Sequence, residues 1–272
     1  MNNGKLFFPK KGTQQGFSVV RLGKRYIVVL LLFVFICVIT FAYVNISQIW
    51  REKSLDTALK RALLFTEQKQ IDAAIGEYDK IVAINPNNHF FFYERGKLLA
   101  DTDRYDQAIE DFGKAIKLIP NNPAYYFERG KLFAGTGRFS QAMEDFSKAI
   151  DFVPDNPVYY SYRSNLLTDA GNYDLAIEDL SMIISLEGGS YTPAYYKRGG
   201  LYAQTGKYED AVSDFSRGIA ALLEQRTISK DLAADLINLY KIRGETYKKQ
   251  DKRGEAAEDL ATARAYRQVT GL

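Results

Sequence analysis

The imidazoles and thiols on which much nucleophilic and metal chemistry depends are scarce in this chain of 272 residues. It holds one histidine, His89, and one cysteine, Cys37. A serine or cysteine relay needs a positioned imidazole, and an ordinary zinc site needs several His or Cys ligands, so this inventory leaves little room for the first and excludes the second. His89 follows Asn87-Asn88 at a helix start and is expected to face solvent. Cys37 lies in an apolar run, where it reads as a small hydrophobe. Gly135-Thr136-Gly137 resembles a phosphate loop only superficially, because it lacks a third glycine and a preceding strand. The adjacent acids Glu110-Asp111 and Glu144-Asp145 could supply a general acid and base, but they recur at a fixed interval and so read as scaffold. The expectation is no catalytic residue, no metal, no cofactor and no small-molecule substrate: not an enzyme.

The charged residues with the most regular spacing are arginines. Arg61, Arg95, Arg129, Arg163, Arg198 and Arg243 are each followed sixteen residues later by a carboxylate, at Glu77, Asp111, Asp145, Asp179, Asp214 and Asp259. Arginine presents a planar fork that matches a carboxylate with two bonds. Six such pairs at one spacing read as ion pairs tying one element to the next, because a dedicated site would not recur in every copy.

The elements that carry these pairs repeat. Ala74, Ala108, Ala142 and Ala176 are 34 residues apart, and Ala211 and Ala256 follow at 35 and 45. Four positions after each alanine stands Tyr78, Phe112, Phe146, Leu180, Phe215 or Leu260. Twelve positions before each stands a small residue: Ala62, Gly96, Gly130, Ser164, Gly199 or Gly244. The first three copies close at Asn85-Pro86, Ile119-Pro120 and Val153-Pro154. This is the pattern of a helix, a short turn, an antiparallel helix and a stop. One such hairpin cannot bury its own apolar face, so copies must stack.

The pattern resembles the tetratricopeptide repeat (TPR), with copies at 55–88, 89–122, 123–156, 157–191, 192–225 and 237–270. The resemblance implies an all-α, right-handed superhelical solenoid of about six helical hairpins. The fourth copy has Gly188-Gly189 in place of the closing proline, which predicts a looser junction. Eleven residues near 226–236 separate the fifth and sixth copies, and Arg253 replaces an apolar or aromatic residue in the sixth, as suits a water-facing end.

In this family, the variable fifth and ninth positions of each first helix line the concave face. Carried over, they give a candidate peptide-binding groove of Tyr93, Lys97, Phe127, Lys131 and Asn165: aromatic bodies beside two ammonium groups and an amide. Such a surface suits an extended peptide with an acidic side chain or terminal carboxylate. Chaperone-binding members clamp a terminal carboxylate with lysine and asparagine at these positions, but here Tyr93 and Phe127 stand where that clamp wants lysine.

Ahead of the repeats lies Ile27–Val44, eighteen almost wholly apolar residues that would span roughly 27 Å as a helix, close to the hydrocarbon core of a bilayer. Tyr26, Tyr43 and Trp50 flank it as interfacial aromatics do. It is too long for the apolar core of a cleaved signal, and the following NISQIW offers no small-x-small cleavage site. The expected organisation is a basic tail over 1–25, a transmembrane helix over 26–46 and a repeat domain over 51–272. Six of the 36 basic side chains and none of the 33 acidic ones precede Trp50. That leaves the repeat domain at −3 with no phosphate-binding footprint, so nucleic acid is not an expected partner. The basic tail could also touch anionic lipid. A slight excess of basic residues on the N-terminal side predicts a cytoplasmic N-terminus with the repeats on the opposite, periplasmic or extracytoplasmic side. The expected function is a membrane-anchored scaffold or adaptor for a protein or peptide, in envelope assembly or secretion. The alternative is a cytoplasm-facing co-chaperone or translocation receptor.

Overall fold

The computed structural model describes residues 24–189, 192–224 and 229–271. The basic tail therefore lies outside the described residues, apart from its last two positions. Among the described residues there are twelve helices and no strand. The chain divides at Thr57 into two units, 1–57 and 58–272.

The first unit contains most of helix α1, Lys24–Glu67. Its large apolar side chains from Val28 to Trp50 are all exposed, and it is the one helix among the described residues long and apolar enough to cross a membrane. The polar side chains in this stretch bond back to their own helix. Thr40 Oγ1 donates to the Cys37 carbonyl at 2.9 Å, Asn45 Nδ2 to that of Phe41 at 2.9 Å, and Ser47 Oγ to that of Val44 at 2.8 Å. The helix does not stop where the apolar run ends. No glycine or proline occurs between Lys24 and Glu67, so nothing in the backbone forces a break, and the helix continues into the first helix of the first repeat.

The second unit is a row of hairpins. Helix α2 (Ile71–Ile84) follows the end of α1, and then α3 (His89–Ala100) pairs with α4 (Tyr105–Leu118), α5 (Pro123–Gly135) with α6 (Phe139–Phe152), and α7 (Pro157–Asp169) with α8 (Tyr173–Leu186). The last two hairpins are α9 (Thr192–Gln204) with α10 (Tyr208–Leu223) and α11 (Lys230–Lys249) with α12 (Arg253–Thr270). Most of the segment separating the fifth and sixth repeats is thus helical. Ser229 caps it by accepting the Leu232 N–H at 3.2 Å, and α11 is lengthened to 20 residues.

Local sequence sets each boundary. Asn88, Asn122 and Asn156 cap α3, α5 and α7, each side chain accepting a backbone N–H at 3.0 Å. Between the two helices of each hairpin one residue has positive φ: Lys69, Asp103, Gly137, Gly171, Gly206 or Asp251. This explains Gly137 in the Gly-Thr-Gly motif, which terminates α5 through the left-handed backbone that glycine adopts freely. Helices α2, α4 and α6 end at Ile84, Leu118 and Phe152, each followed by a non-helical cap residue and then a proline. Helix α8, which lacks that proline, ends through Gly188 and Gly189, both at positive φ, with the Gly189 N–H reaching the Ile184 carbonyl at 2.9 Å. The predicted looser junction continues into residues 190–191, outside the described residues.

The core repeats with the sequence. In α4 and α6 the shared buried residues are spaced three, four and seven from the alanine: Ala108, Asp111, Phe112 and Ala115, then Ala142, Asp145, Phe146 and Ala149, with Ile150 added in α6. The small residue of each first helix sits under the large residue of the second. A Cβ on Gly96 would stand 2.8 Å from Phe112, on Gly130 2.8 Å from Phe146, and on Gly199 2.7 Å from Phe215.

Candidate partner-binding surface

Five of the six arginines form the expected two-pronged pair. Arg95 Nε and Nη2 donate to Asp111 at 2.6 and 2.7 Å, and Arg129 does the same to Asp145 at 2.8 and 2.8 Å. Arg163, Arg198 and Arg243 repeat the geometry with Asp179, Asp214 and Asp259. The first copy departs from the expectation: Arg61 is exposed, and Glu77 takes Lys80 at 2.7 Å. Glutamate carries its carboxylate one methylene farther out, and Lys80 lies one helical turn away, so the local pair forms instead.

The remaining guanidinium nitrogen has a use that the spacing of pairs did not reveal. Nη1 of Arg95 donates to Asp79 at 2.7 Å, that of Arg163 to Ser147 at 3.0 Å, that of Arg198 to Ser181 at 2.7 Å and that of Arg243 to Ser216 at 2.8 Å. Each acceptor belongs to the preceding hairpin, so one arginine joins three helices. The signal was present in the sequence, since Asp79 and Ser147 precede their arginines by sixteen residues. A second ladder runs along the starts of the second helices, where Arg104 meets Asp72, Arg138 meets Asp106, and Lys207 meets Asp174 at 3.2 Å. Among the described residues the rung is absent between the third and fourth hairpins, where the corresponding residues are Ser140 and Asn172, and no ion pair joins Lys252 to Glu209 between the fifth and sixth.

These repeated contacts account for the scaffold and leave the variable positions of the first helices. Tyr93 and Phe127 are half-buried. Their rings pack against the next hairpin: Tyr93 on Tyr125 with centroids 5.1 Å apart, Phe127 on Tyr159 at 4.9 Å and edge-on to Tyr162 at 5.0 Å. Much of each ring therefore serves stacking between hairpins, and Tyr162 emerges as an exposed aromatic of the same face. Burial, with Glu128 and Glu94 nearby, pushes the Tyr93 hydroxyl up to about 12.

The two lysines are not bare cations. Lys97 lies 5.3 Å over the Tyr93 ring and 3.3 Å from Glu94, and Lys131 lies 5.2 Å over Phe127 and 2.7 Å from Glu128. Each ammonium is thus matched by a carboxylate three residues earlier, and this stretch of surface carries alternating rather than net positive charge. Asn165 is exposed and accepts a bond from Lys197 of the next hairpin at 2.9 Å. Lys197 has no carboxylate partner among the described residues. Asn165 and Lys197 border an open cavity of about 320 Å³ that also touches Tyr196, Gly200, Leu201 and Ile242.

His89 does not simply face solvent. It is half-buried, and its Nδ1 shares a hydrogen bond with the Tyr125 hydroxyl, linking the second and third hairpins. Among the described residues no group of three or more His, Cys, Asp and Glu could hold a metal ion.

Comparison with known proteins agrees with this geometry. A family described as "TPR repeat" matches residues 96–137, and two described as "Tetratricopeptide repeat" match 123–156 with 192–221, and 56–88. Among solved structures, the MamA protein aligns at 22% identity and a TM-score of 0.58, covering 62% of this chain and 91% of its own. YrrB, described as "a TPR protein with an unusual peptide-binding site", aligns at 19% identity and 0.58, over 70% and 92%. A tetratricopeptide repeat protein from Parabacteroides merdae aligns at 17% and 0.58, over 80% and 96%. At these identities the likeness establishes the fold. No curated protein sequence matches the chain.

Proposed function

We propose that this tetratricopeptide-repeat chain is a membrane-tethered scaffold that holds a protein or peptide partner on the face formed by its first helices. The observation that carries the reading is the division of labour within the repeat. Arginine, aspartate, alanine and small residues recur in the same contacts from hairpin to hairpin, so they serve the stack. The fifth and ninth positions of the first helices vary from copy to copy and present ring edges, paired lysines and an amide. A surface that changes along a constant scaffold is suited to reading one extended segment. The peptide-binding site named for YrrB supports the same use of this architecture.

The tether is α1. Its uncovered apolar side chains, its back-bonded polar groups and its flanking Tyr43 and Trp50 suit lipid, where every polar group must find an internal partner. The basic residues preceding it favour a cytoplasmic N-terminus, which carries the repeats to the opposite side and suits a role in envelope assembly or secretion. Nothing in the repeat stack calls for catalysis.

Two measurements test this. Alkaline phosphatase and green fluorescent protein, each fused after Leu272, report opposite sides, and phosphatase activity with dark fluorescent fusions is expected. The reverse result places the repeats with the cytoplasm and favours a receptor or co-chaperone. A photocrosslinking amino acid at position 97, 131 or 165 of the full chain is expected to form adducts with a discrete partner, whereas position 148 on a second helix is not. Adducts of equal yield from all four positions would remove the face assignment.

A further inference from the structure

The cavity beside Gly200 points to a more specific occupant. Two adjacent glycines in α9 have different reasons to be there. Gly199 has no room for a side chain, since its Cβ would lie 2.7 Å from Phe215. Gly200 has helical backbone and nothing within 4 Å of an added Cβ, so neither conformation nor packing requires glycine. Glycine inside a helix costs stability relative to alanine. The ninth position it occupies is filled in neighbouring hairpins by Lys97, Lys131, Asn165 and Glu245. Removing the side chain here opens the cavity of about 320 Å³, a size within the range of ligand pockets.

The lining fits one side chain of a bound segment. Leu201, Ile242 and the Tyr196 ring supply apolar surface. Two further lining residues, Ser164 and Thr168, turn their hydroxyls to backbone carbonyls at 3.0 and 2.8 Å and leave no polar demand. The charged group at the rim is Lys197, bonded to the neutral amide of Asn165. Lys97 and Lys131 are matched by glutamates, whereas Lys197, the ammonium that lines this cavity, bonds only to a neutral amide among the described residues. We propose that this pocket receives a bulky apolar side chain of an extended peptide whose neighbouring residue is acidic, with Lys197 meeting that carboxylate. The inference rests on the proposed partner-binding face and names the segment that the fourth to sixth hairpins would select.

The test uses the full chain in detergent micelles against a displayed library of random dodecapeptides. Enriched sequences are then synthesised with both ends blocked. The expected consensus pairs Leu, Ile or Phe with an adjacent Asp or Glu. Gly200→Leu is expected to weaken these peptides at least tenfold, and Gly200→Ala severalfold. The alanine variant meets nothing within 4 Å, so it keeps the test open even if the leucine variant folds poorly. Lys197→Glu is expected to weaken them likewise and to recover binding when the acidic residue is replaced by lysine. Binding by both Gly200 variants within twofold of wild type would overturn the pocket while leaving the partner-binding face intact. A consensus without the apolar–acidic pair, or enriched sequences that fail to bind once both ends are blocked, would overturn it too. Failure of any peptide to enrich would count against the pocket and the peptide-binding face together.

Discussion

Replacing Asp145 with alanine isolates the contribution of a buried fork to the stack. Asp145 is 2% exposed, and both its oxygens accept from Arg129 at 2.8 Å. The substitution removes two charge-assisted bonds and leaves the guanidinium without its counter-charge between two helices. Breaking a buried pair in this way costs about 3–5 kcal/mol. The Arg129 side chain is 23% exposed and can turn partly to water, which argues for the lower end, about 3 kcal/mol. For a folded unit of this size that corresponds to a fall in melting temperature of roughly 6–12 °C. The first hairpin supplies the control. Glu77 is buried as well, but its one bond among the described residues is to Lys80, whose side chain is 59% exposed and returns to water when the carboxylate is removed, so Glu77→Ala is expected to cost about 1 kcal/mol. Circular dichroism at 222 nm, followed through heat and urea denaturation of the full chain in detergent, reads both variants. Equal shifts for the two substitutions would refute the argument that the fork, rather than any repeated carboxylate, couples the helices.

The glycines give opposite expectations from the same substitution. Gly130→Ala forces a methyl against Phe146 and is expected to destabilise by about 1–3 kcal/mol, whereas Gly200→Ala fills open space and is expected to stabilise by about 1 kcal/mol; thermal melts of the two variants decide the sign. Tyr93 contributes a pH dependence. Its folded pKa of about 12 lies above the ordinary 10.0, so its contribution is intact below pH 10 and is lost as pH rises toward 12, where the unfolded chain ionises first. Tyr93→Phe should therefore flatten part of the fall in melting temperature between pH 10 and 12, and an unchanged slope would assign that fall to other groups.

The hairpins were legible because their signal is collective. Alanine, glycine and aromatic positions at a constant offset specify two helices and their closest approach, and Gly96, Gly130 and Gly199 occupy the contacts that this spacing implied. The arginine–carboxylate spacing failed only at Arg61, where one methylene in Glu77 and a nearby Lys80 altered the balance. At α1 the apolar run marks where lipid suits a helix and is silent on where the backbone stops. The absence of glycine and proline up to Glu67 carried that information. The segment between the fifth and sixth copies read as an insertion from its period, yet Ser229 is a capping residue and starts α11 inside it.

The surface was harder to read, since its electrostatics depend on which groups meet. Lys97 and Lys131 stood out as cations by repeat position. Their partners Glu94 and Glu128 occur in the same Glu-Arg-Gly-Lys stretch, and i,i+3 pairing on a helix was available as the clue. Tyr93 and Phe127 read as aromatic bodies of the groove, and their stacking on Tyr125 and Tyr159 depends on how hairpins follow one another, which a periodic sequence does not state. Lys197, at a position that the family pattern did not single out, bonds to the Asn165 amide and to no carboxylate among the described residues.

The central claim is that the variable first-helix face holds the partner while the repeated contacts only build the stack. It is tested most directly by recovering the partner from detergent-solubilised membranes with the wild-type chain and with Lys97→Glu/Lys131→Glu, melting both proteins in parallel. The double variant places like charges beside Glu94 and Glu128 on that face, while the buried forks are untouched. Loss of the partner with a melting temperature close to wild type is the predicted result. Equal recovery by the two proteins would contradict the account.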